Sequence, residues 1–115
     1  MPTNDEITVA EGLAKFFQSN IEFVARGISR TPDVYVIRFG QYWEIKNIRG
    51  NSSKTIENTL RTAQYQSGNI VISLARSKMS ANQAVGRINL CLRRSHVAAK
   101  RIIVISKNKK VLVVK

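Results

Sequence analysis

The segment IVISL, from Ile70 to Leu74, is the feature that most constrains the fold. It is short, apolar and β-branched, which is the pattern of a buried strand. Apolar residues at helical spacing flank it on both sides, with Ile56, Leu60 and Ala63 before it and the segment 81–92 after it. Helices interleaved with strands predict a sheet with helices packed on it.

The full pattern predicts an α/β fold in one domain, residues 1–115, with a central mixed sheet and the order α-β-β-α-β-α-β-β. DVYVI and YWEIKNI are the strands before the second helix, and RFGQ is the turn between them. RIIVISK and KVLVVK form a final hairpin or strand pair. The pattern also leaves room for a short extra strand between Ala25 and Ser29.

Polar residues mark the expected helix starts. The capping box TVAE, Thr8 to Glu11, is expected to start the first helix, whose apolar spacing continues to Ile21 and Val24. Ser53 is the expected cap of the second helix, and SANQ at Ser80 is a second capping box before the third.

The charge of the chain is strongly basic. Nineteen Lys and Arg face seven Asp and Glu, and the formal net charge is +12. From Asn58 to the C-terminus there are twelve basic residues and no acidic one. Such a surface repels itself, and a polyanion is the partner that best offsets the repulsion. A basic face kept for solubility and an anionic membrane surface are the alternatives, but a lipid-binding helix would show bulky apolar residues opposite its lysines.

Other classes of function find little support in the sequence. No apolar run approaches the roughly 18 residues of a membrane span, and the first residues lack the pattern of a signal peptide. The single cysteine, Cys91, lies on the apolar face of the third predicted helix and is expected in the core, so cysteine-based metal sites are excluded. Walker, Rossmann and Ser-His-Asp motifs are absent.

Three charged residues on the two strands around RFGQ are expected to converge. Residues of a strand alternate between faces, so Glu44 and Lys46 share one face and Trp43 takes the other, towards the core. A loop made of Phe39-Gly40, or of the four residues Arg38 to Gln41, would place Tyr35 opposite Glu44 and Asp33 opposite Lys46, about 4.5–5.5 Å apart. Asp33, Glu44 and Lys46 would then form one patch, whereas an odd loop would separate them.

Two carboxylates beside an ammonium group suit phosphodiester hydrolysis. Mg²⁺ takes oxygen ligands, among them one or two carboxylates, so Asp33 and Glu44 are candidate metal ligands. Lys46 is placed to orient water or to stabilise charge in the transition state. The same geometry also permits a cross-strand salt bridge, Asp33 with Lys46, without catalysis; the basic charge of the chain favours the phosphate site.

The residues PD at Pro32-Asp33 and EIK at Glu44–Lys46 resemble the PD-(D/E)xK signature of restriction-endonuclease-like nucleases. A longer stretch, Ala25 to Lys115, resembles the C-terminal toxin domains of contact-dependent growth inhibition proteins and related polymorphic toxins. That resemblance implies a nuclease, often a tRNase, which is released by the producer as part of a larger secreted protein and acts in the target-cell cytoplasm. It also implies a cognate immunity protein, which the charge predicts to be acidic, and in some such toxins the help of elongation factor Tu. The catalytic candidates by this resemblance are Asp33, Glu44, Lys46, Arg61 and Gln66.

Metal dependence is left open by the sequence. Residues Ser73 and Ala75 stand where relatives often carry an acidic residue and a further arginine, so a third ligand would have to come from elsewhere, for example Glu11. The barnase/colicin/RelE-like nucleases, the alternative fold, cleave RNA without metal through its own 2′-hydroxyl. In that mechanism Glu44, Lys46, Arg61 or the lone His96 would supply acid, base and cation.

The remaining candidates are polar and basic residues expected to bind phosphates, some of them at the start of a helix. They are Asn51, Ser53, Lys54, Arg87, Arg93, Arg94 and Lys100. The leading hypothesis is a tRNA-cleaving toxin. A metal-dependent DNase toxin and a non-catalytic nucleic-acid-binding module are the alternatives.

Overall fold

The computed structural model describes residues 2–25, 31–94 and 97–115. In chain order its elements are α1 (Asn4–Phe17), β1 (Ile21–Phe23), β2 (Val34–Val36), a 3-10 helix (Ile37–Phe39), β3 (Gln41–Asn47), α2 (Ser53–Ala63), β4 (Asn69–Ser73), α3 (Ala81–Arg94), β5 (Arg101–Ile105) and β6 (Val111–Val113). No helix within these described ranges is both long enough and apolar enough to span a bilayer.

The six strands form one mixed sheet in the order β1-β2-β3-β4-β5-β6. β3, β4 and β5 are parallel, and antiparallel strands extend the sheet on both sides. The connections through α2 and α3 return the chain across the sheet, so the carboxyl ends of β3, β4 and β5 lie at one end and their amino ends at the other. The predicted α/β class, with a mixed sheet and packed helices, is confirmed.

A separate apolar core lies on each face of the sheet. α1 packs on one face, around Leu13, Trp43 and Val71. α2 and α3 pack on the other face, around Leu60 and Ile88. Trp43 and Cys91, which are 1% and 7% exposed, lie in these cores as predicted.

The first helix begins earlier than predicted. Its cap is Thr3 rather than Thr8, because TNDE offers the same capping pattern upstream of TVAE. The Thr3 hydroxyl accepts a hydrogen bond from the Glu6 N–H, and Glu6 Oε1 accepts one from the Thr3 N–H, both at 3.1 Å.

The first helix also ends earlier than predicted. Gln18 adopts the left-handed conformation, with φ of 51°, and closes the helix after Phe17. Ile21 therefore starts β1, and Val24 lies beyond it, both outside the helix to which their spacing assigned them. β1 is an additional strand, but it precedes the expected 25–29 segment, most of which lies outside the described residues.

The other two helix starts give one correction and one confirmation. Ser52, not Ser53, caps α2, because its Oγ accepts from the Thr55 N–H at 3.2 Å. The predicted capping box of α3 is present: Ser80 Oγ accepts from the Gln83 N–H at 3.2 Å, and Gln83 Oε1 accepts from the Ser80 N–H at 3.1 Å.

The pairing of β2 with β3 is shifted by two residues from the predicted register. Tyr35 lies opposite Tyr42, rather than opposite Glu44, because the 3-10 turn occupies residues 37–39. Gly40 ends that turn in the left-handed region, at φ of 62°. The connecting segment, 37–40, still has an even length, so every side chain keeps the predicted face.

Candidate functional site

Strand β3 carries two members of the candidate site. Trp43 and Ile45 belong to the α1 core, so by alternation Glu44 and Lys46 face α2 and α3. Glu44 is only 2% exposed, although a carboxylate is seldom buried without a partner. Burying a carboxylate costs free energy unless the group is paired and hydrogen-bonded.

Lys46 is the ion-pair partner of Glu44. Its Nζ lies 3.2 Å from Glu44 Oε2, and the Lys46 side chain is 27% exposed, whereas that of Glu44 is 2% exposed. The other oxygen, Glu44 Oε1, is buried and has no hydrogen-bond partner among the described residues. The ion pair with Lys46 therefore accounts for only one of the two Glu44 oxygens.

Asp33 brings the second carboxyl to the same place. Its Oδ2 accepts a hydrogen bond from the Ile45 N–H at 2.8 Å, and its own N–H donates to the Trp43 carbonyl at 3.1 Å. These bonds hold the Asp33 side chain beside Glu44, within hydrogen-bonding reach of its carboxyl. The register shift thus gives an Asp33–Glu44 contact, where the sequence predicted that Asp33 would lie opposite Lys46.

The environment of Glu44 changes its titration. Burial, then the hydrogen bond and the negative charge of Asp33, raise the pKa of Glu44 from 4.5 to about 8, while the Lys46 ammonium opposes the shift. The carboxyl therefore exchanges its proton near neutral pH, where a general acid or base works best. We name Asp33, Glu44 and Lys46 together the acid pair and lysine.

The donor set limits which metal this site could hold. The described residues, 2–25, 31–94 and 97–115, contain no group of three or more His, Cys, Asp or Glu side chains that could hold a metal ion. Glu11, weighed above as a third ligand, lies on α1 and so on the opposite face from Glu44. Two carboxyls and the unpartnered Glu44 oxygen fit a cation that keeps most of its waters, such as Mg²⁺, but not a site of the zinc type.

The structure does not join Arg61 to the acid pair. Arg61 lies on the exposed side of α2, and its Nη2 binds Glu57 Oε1 at 3.0 Å. Gln66 lies in the turn that follows α2. This turn is fixed to β3, because Ser67 Oγ and Asn69 Nδ2 donate to the Tyr42 carbonyl at 2.8 and 2.9 Å.

The predicted phosphate-binding residues fall into separate regions. Asn51 and Lys54 are exposed at the carboxyl end of β3, with Ser53 between them as the first residue of α2. Arg93, Arg94 and Lys100 are exposed at the opposite end of the sheet, where α3 leads into β5.

Arg87 lies between these regions, on α3. It is half-buried, and its Nη1 has no hydrogen-bond partner within the described part of the chain. His96 lies outside the described residues.

Sequence reasoning missed an aromatic pair on the site's side of the sheet. Tyr35 and Tyr42 face each other across β2 and β3, with ring centroids 4.6 Å apart. The alternation that placed Glu44 and Lys46 on one face also places Tyr42 there, so the signal was present, but the register error hid the pairing.

Comparison with known proteins gives the family. The family model of the contact-dependent growth inhibition CdiA C-terminal domain matches residues 30–111, which is more than half of the chain. The matched range includes Asp33, Glu44 and Lys46. The chain belongs to this family. No relative was found among curated proteins.

A solved structure, described as a CdiA-CT/CdiI toxin and immunity complex from Burkholderia pseudomallei, has a similar fold. The TM-score is 0.67 at 22% identity, and the match covers 100% of this chain and 92% of that one. The family-model match confirms the predicted family, and the likeness of the two structures shows that the fold is shared.

Proposed function

We propose that this domain is an antibacterial toxin that cleaves RNA, with tRNA as its substrate. The observation that carries the proposal is Glu44, a buried carboxyl whose pKa of about 8 lies near neutrality, in contact with Asp33 and Lys46. Clusters of this kind are typical of catalytic sites. The twelve basic residues after Asn58 supply the attraction that a polyanionic substrate requires.

The roles of the residues follow from their contacts. Glu44 exchanges a proton with the reacting oxygen, because its pKa lets it do so near neutral pH. Burial and then Asp33 keep that pKa high, and the Asp33 side chain is held in place by the Ile45 N–H. The partly exposed Lys46 ammonium stabilises negative charge on the phosphate in the transition state.

A bound divalent cation would be held by Asp33 and Glu44. Such a cation polarises the phosphoryl oxygen and supplies hydroxide near neutral pH. The alternative is attack by the RNA's own 2′-hydroxyl, in which Glu44 serves as the base. The two routes differ in their response to a chelator.

Family membership also supports proposals about delivery and partners. We propose that the domain is carried by a larger secreted protein and acts in the cytoplasm of the target cell. The similar structure contains an immunity protein, and a net charge of +12 suits a cognate immunity protein that is acidic. A domain of this size has little surface with which to read a whole tRNA, so we also propose help from a tRNA-bound factor such as elongation factor Tu.

The experiment is incubation of the purified domain with total RNA and with plasmid, with and without EDTA. Cleavage of tRNA, abolished in Glu44→Gln and Lys46→Ala, is expected. Glu11→Gln and Lys15→Ala are the matched controls, because both residues are exposed on α1, which packs on the opposite face of the sheet from Glu44 and Lys46. Cut plasmid with intact RNA would instead support the DNase alternative, and binding without cleavage would support a nucleic-acid-binding module.

A further inference from the structure

The Tyr35–Tyr42 pair lies outside both apolar cores. The two residues are direct cross-strand partners, and their rings are tilted by 45° at a centroid separation of 4.6 Å. Tyr42 is 50% exposed, so half of its surface is in contact with water. Aromatic residues that serve only for packing bury their rings, and Tyr42 does not.

The pair is placed beside the acid pair and lysine. Tyr42, Glu44 and Lys46 lie on the same face of β3, because every second residue of a strand points to the same side. Tyr42 and Glu44 are two residues apart, which is roughly 6.6 Å along the strand. The backbone of Tyr42 is fixed by the hydrogen bonds from Ser67 and Asn69 to its carbonyl oxygen. The contact with the Tyr35 ring further limits the positions that the Tyr42 ring can take before any ligand arrives, so less entropy is lost on binding.

The chemistry of an exposed aromatic ring next to a phosphate site favours a nucleobase. Every base has a π-face, and stacking on Tyr is a common mode of binding single-stranded nucleic acid. A base within a duplex has both faces covered by its neighbours and cannot stack in this way. Trp43, the aromatic residue next in sequence, is buried and is not available for this role.

We propose that the Tyr35–Tyr42 pair is a stacking site for one unpaired base of the RNA, next to the phosphate on which Glu44 and Lys46 act. The inference rests on the function proposed above. It adds that the domain selects an unpaired nucleotide at the cleavage position and that Tyr42 is the residue responsible.

The test measures binding separately from cleavage. In a Glu44→Gln background, the affinity for a single-stranded RNA that carries 2-aminopurine is measured by the quenching of its fluorescence on stacking. Tyr42→Leu keeps the apolar bulk but removes the π-face, and should weaken binding about 10-fold and abolish the quenching. Tyr42→Phe should keep both properties, and Phe16→Ala, an exposed aromatic residue on α1, should behave as the parent.

Cleavage by the otherwise wild-type enzyme provides the second readout. Tyr42→Leu should raise the KM for single-stranded RNA about 10-fold and leave kcat much less affected. Full affinity and full quenching in Tyr42→Leu would overturn the stacking site, while RNA cleavage that depends on Glu44 would leave the proposed function intact. Loss of immunity-protein binding without any loss of RNA affinity would also overturn it, because the pair would then belong to a protein interface. If the parent neither binds nor cleaves RNA, the proposed function and the stacking site both fail.

Discussion

Replacing Glu44 with glutamine should stabilise the domain at neutral pH while abolishing its activity. The folded-state pKa of Glu44 is about 8, against 4.5 for the ordinary side chain. Between these two values the folded protein holds a proton that the unfolded chain releases. The contribution of this proton to the unfolding free energy is therefore fully present below pH 4.5 and is lost as the pH rises towards 8. Above pH 8 it no longer changes.

The size of the effect follows from the pKa shift. Each pH unit above 4.5 removes up to about 1.4 kcal/mol of unfolding free energy, so at pH 7 the loss is at most about 3 kcal/mol. Glutamine has the shape of the neutral carboxyl, does not ionise, and can donate to Asp33 as the protonated Glu44 does. The variant should not undergo this loss, so at pH 7 its unfolding free energy should exceed that of the wild type by up to about 3 kcal/mol.

The assay is urea unfolding in EDTA at about pH 5, 7 and 9, followed by the fluorescence of Trp43, the single tryptophan. The stability difference between Glu44→Gln and the wild type should grow from pH 5 to pH 7 and level off above pH 8. Glu11→Gln is the control, and as an exposed substitution it should stay within about 0.5 kcal/mol of the wild type at every pH.

One result would refute this reasoning. If Glu44→Gln is less stable than the wild type by the same amount at all three pH values, then Glu44 is ionised when folded. The pair with Lys46 would then be an ordinary buried salt bridge, because the loss of one partner from such a bridge is strongly destabilising.

Three further predictions concern the metal, the core and the partner. Mg²⁺ should bind more tightly as the pH rises towards 8, with release of a proton detectable by calorimetry in two buffers, because binding must displace the Glu44 proton; an affinity independent of pH would remove Glu44 from the ligands. Trp43→Ala should cost about 3–5 kcal/mol in urea unfolding followed by circular dichroism, since Trp43 is 1% exposed; a variant of native stability would show that the α1 core does not depend on it. Association with the immunity protein should slow as salt is added, because a domain of charge +12 attracts an acidic partner; a rate indifferent to salt would point to an apolar interface.

The sequence predicted which side chains share a face, because strand alternation depends only on position and on the parity of the loop. Asp33, Glu44 and Lys46 were expected in one patch, and the structure brings them together, although their catalytic roles stay predictions. The contact within the patch was wrong in detail. The 3-10 turn at Ile37–Phe39 moves the register by two residues, and nothing in the side-chain pattern of RFGQ marks that turn.

Other features depended on tertiary structure that no local pattern records. The burial of Glu44, and with it the raised pKa, results from the elements packed around β3. The end of the first helix depended on the left-handed conformation of Gln18, a residue type that seldom adopts it, while the apolar spacing of Ile21 continued past it. Arg87, Arg93, Arg94 and Lys100 were chosen as phosphate-binding candidates by their charge, and charge does not tell which end of the sheet a residue occupies.

The most direct test of the acid pair and lysine is growth inhibition when the domain is produced inside bacteria without its immunity protein. Wild-type protein and Glu11→Gln should stop growth and leave tRNA cut, while Glu44→Gln and Lys46→Ala, present as folded protein at equal levels, should do neither. Co-production of the immunity protein should restore growth to cells that make the active forms. Full toxicity of folded Glu44→Gln would contradict the account and place the chemistry elsewhere in the domain.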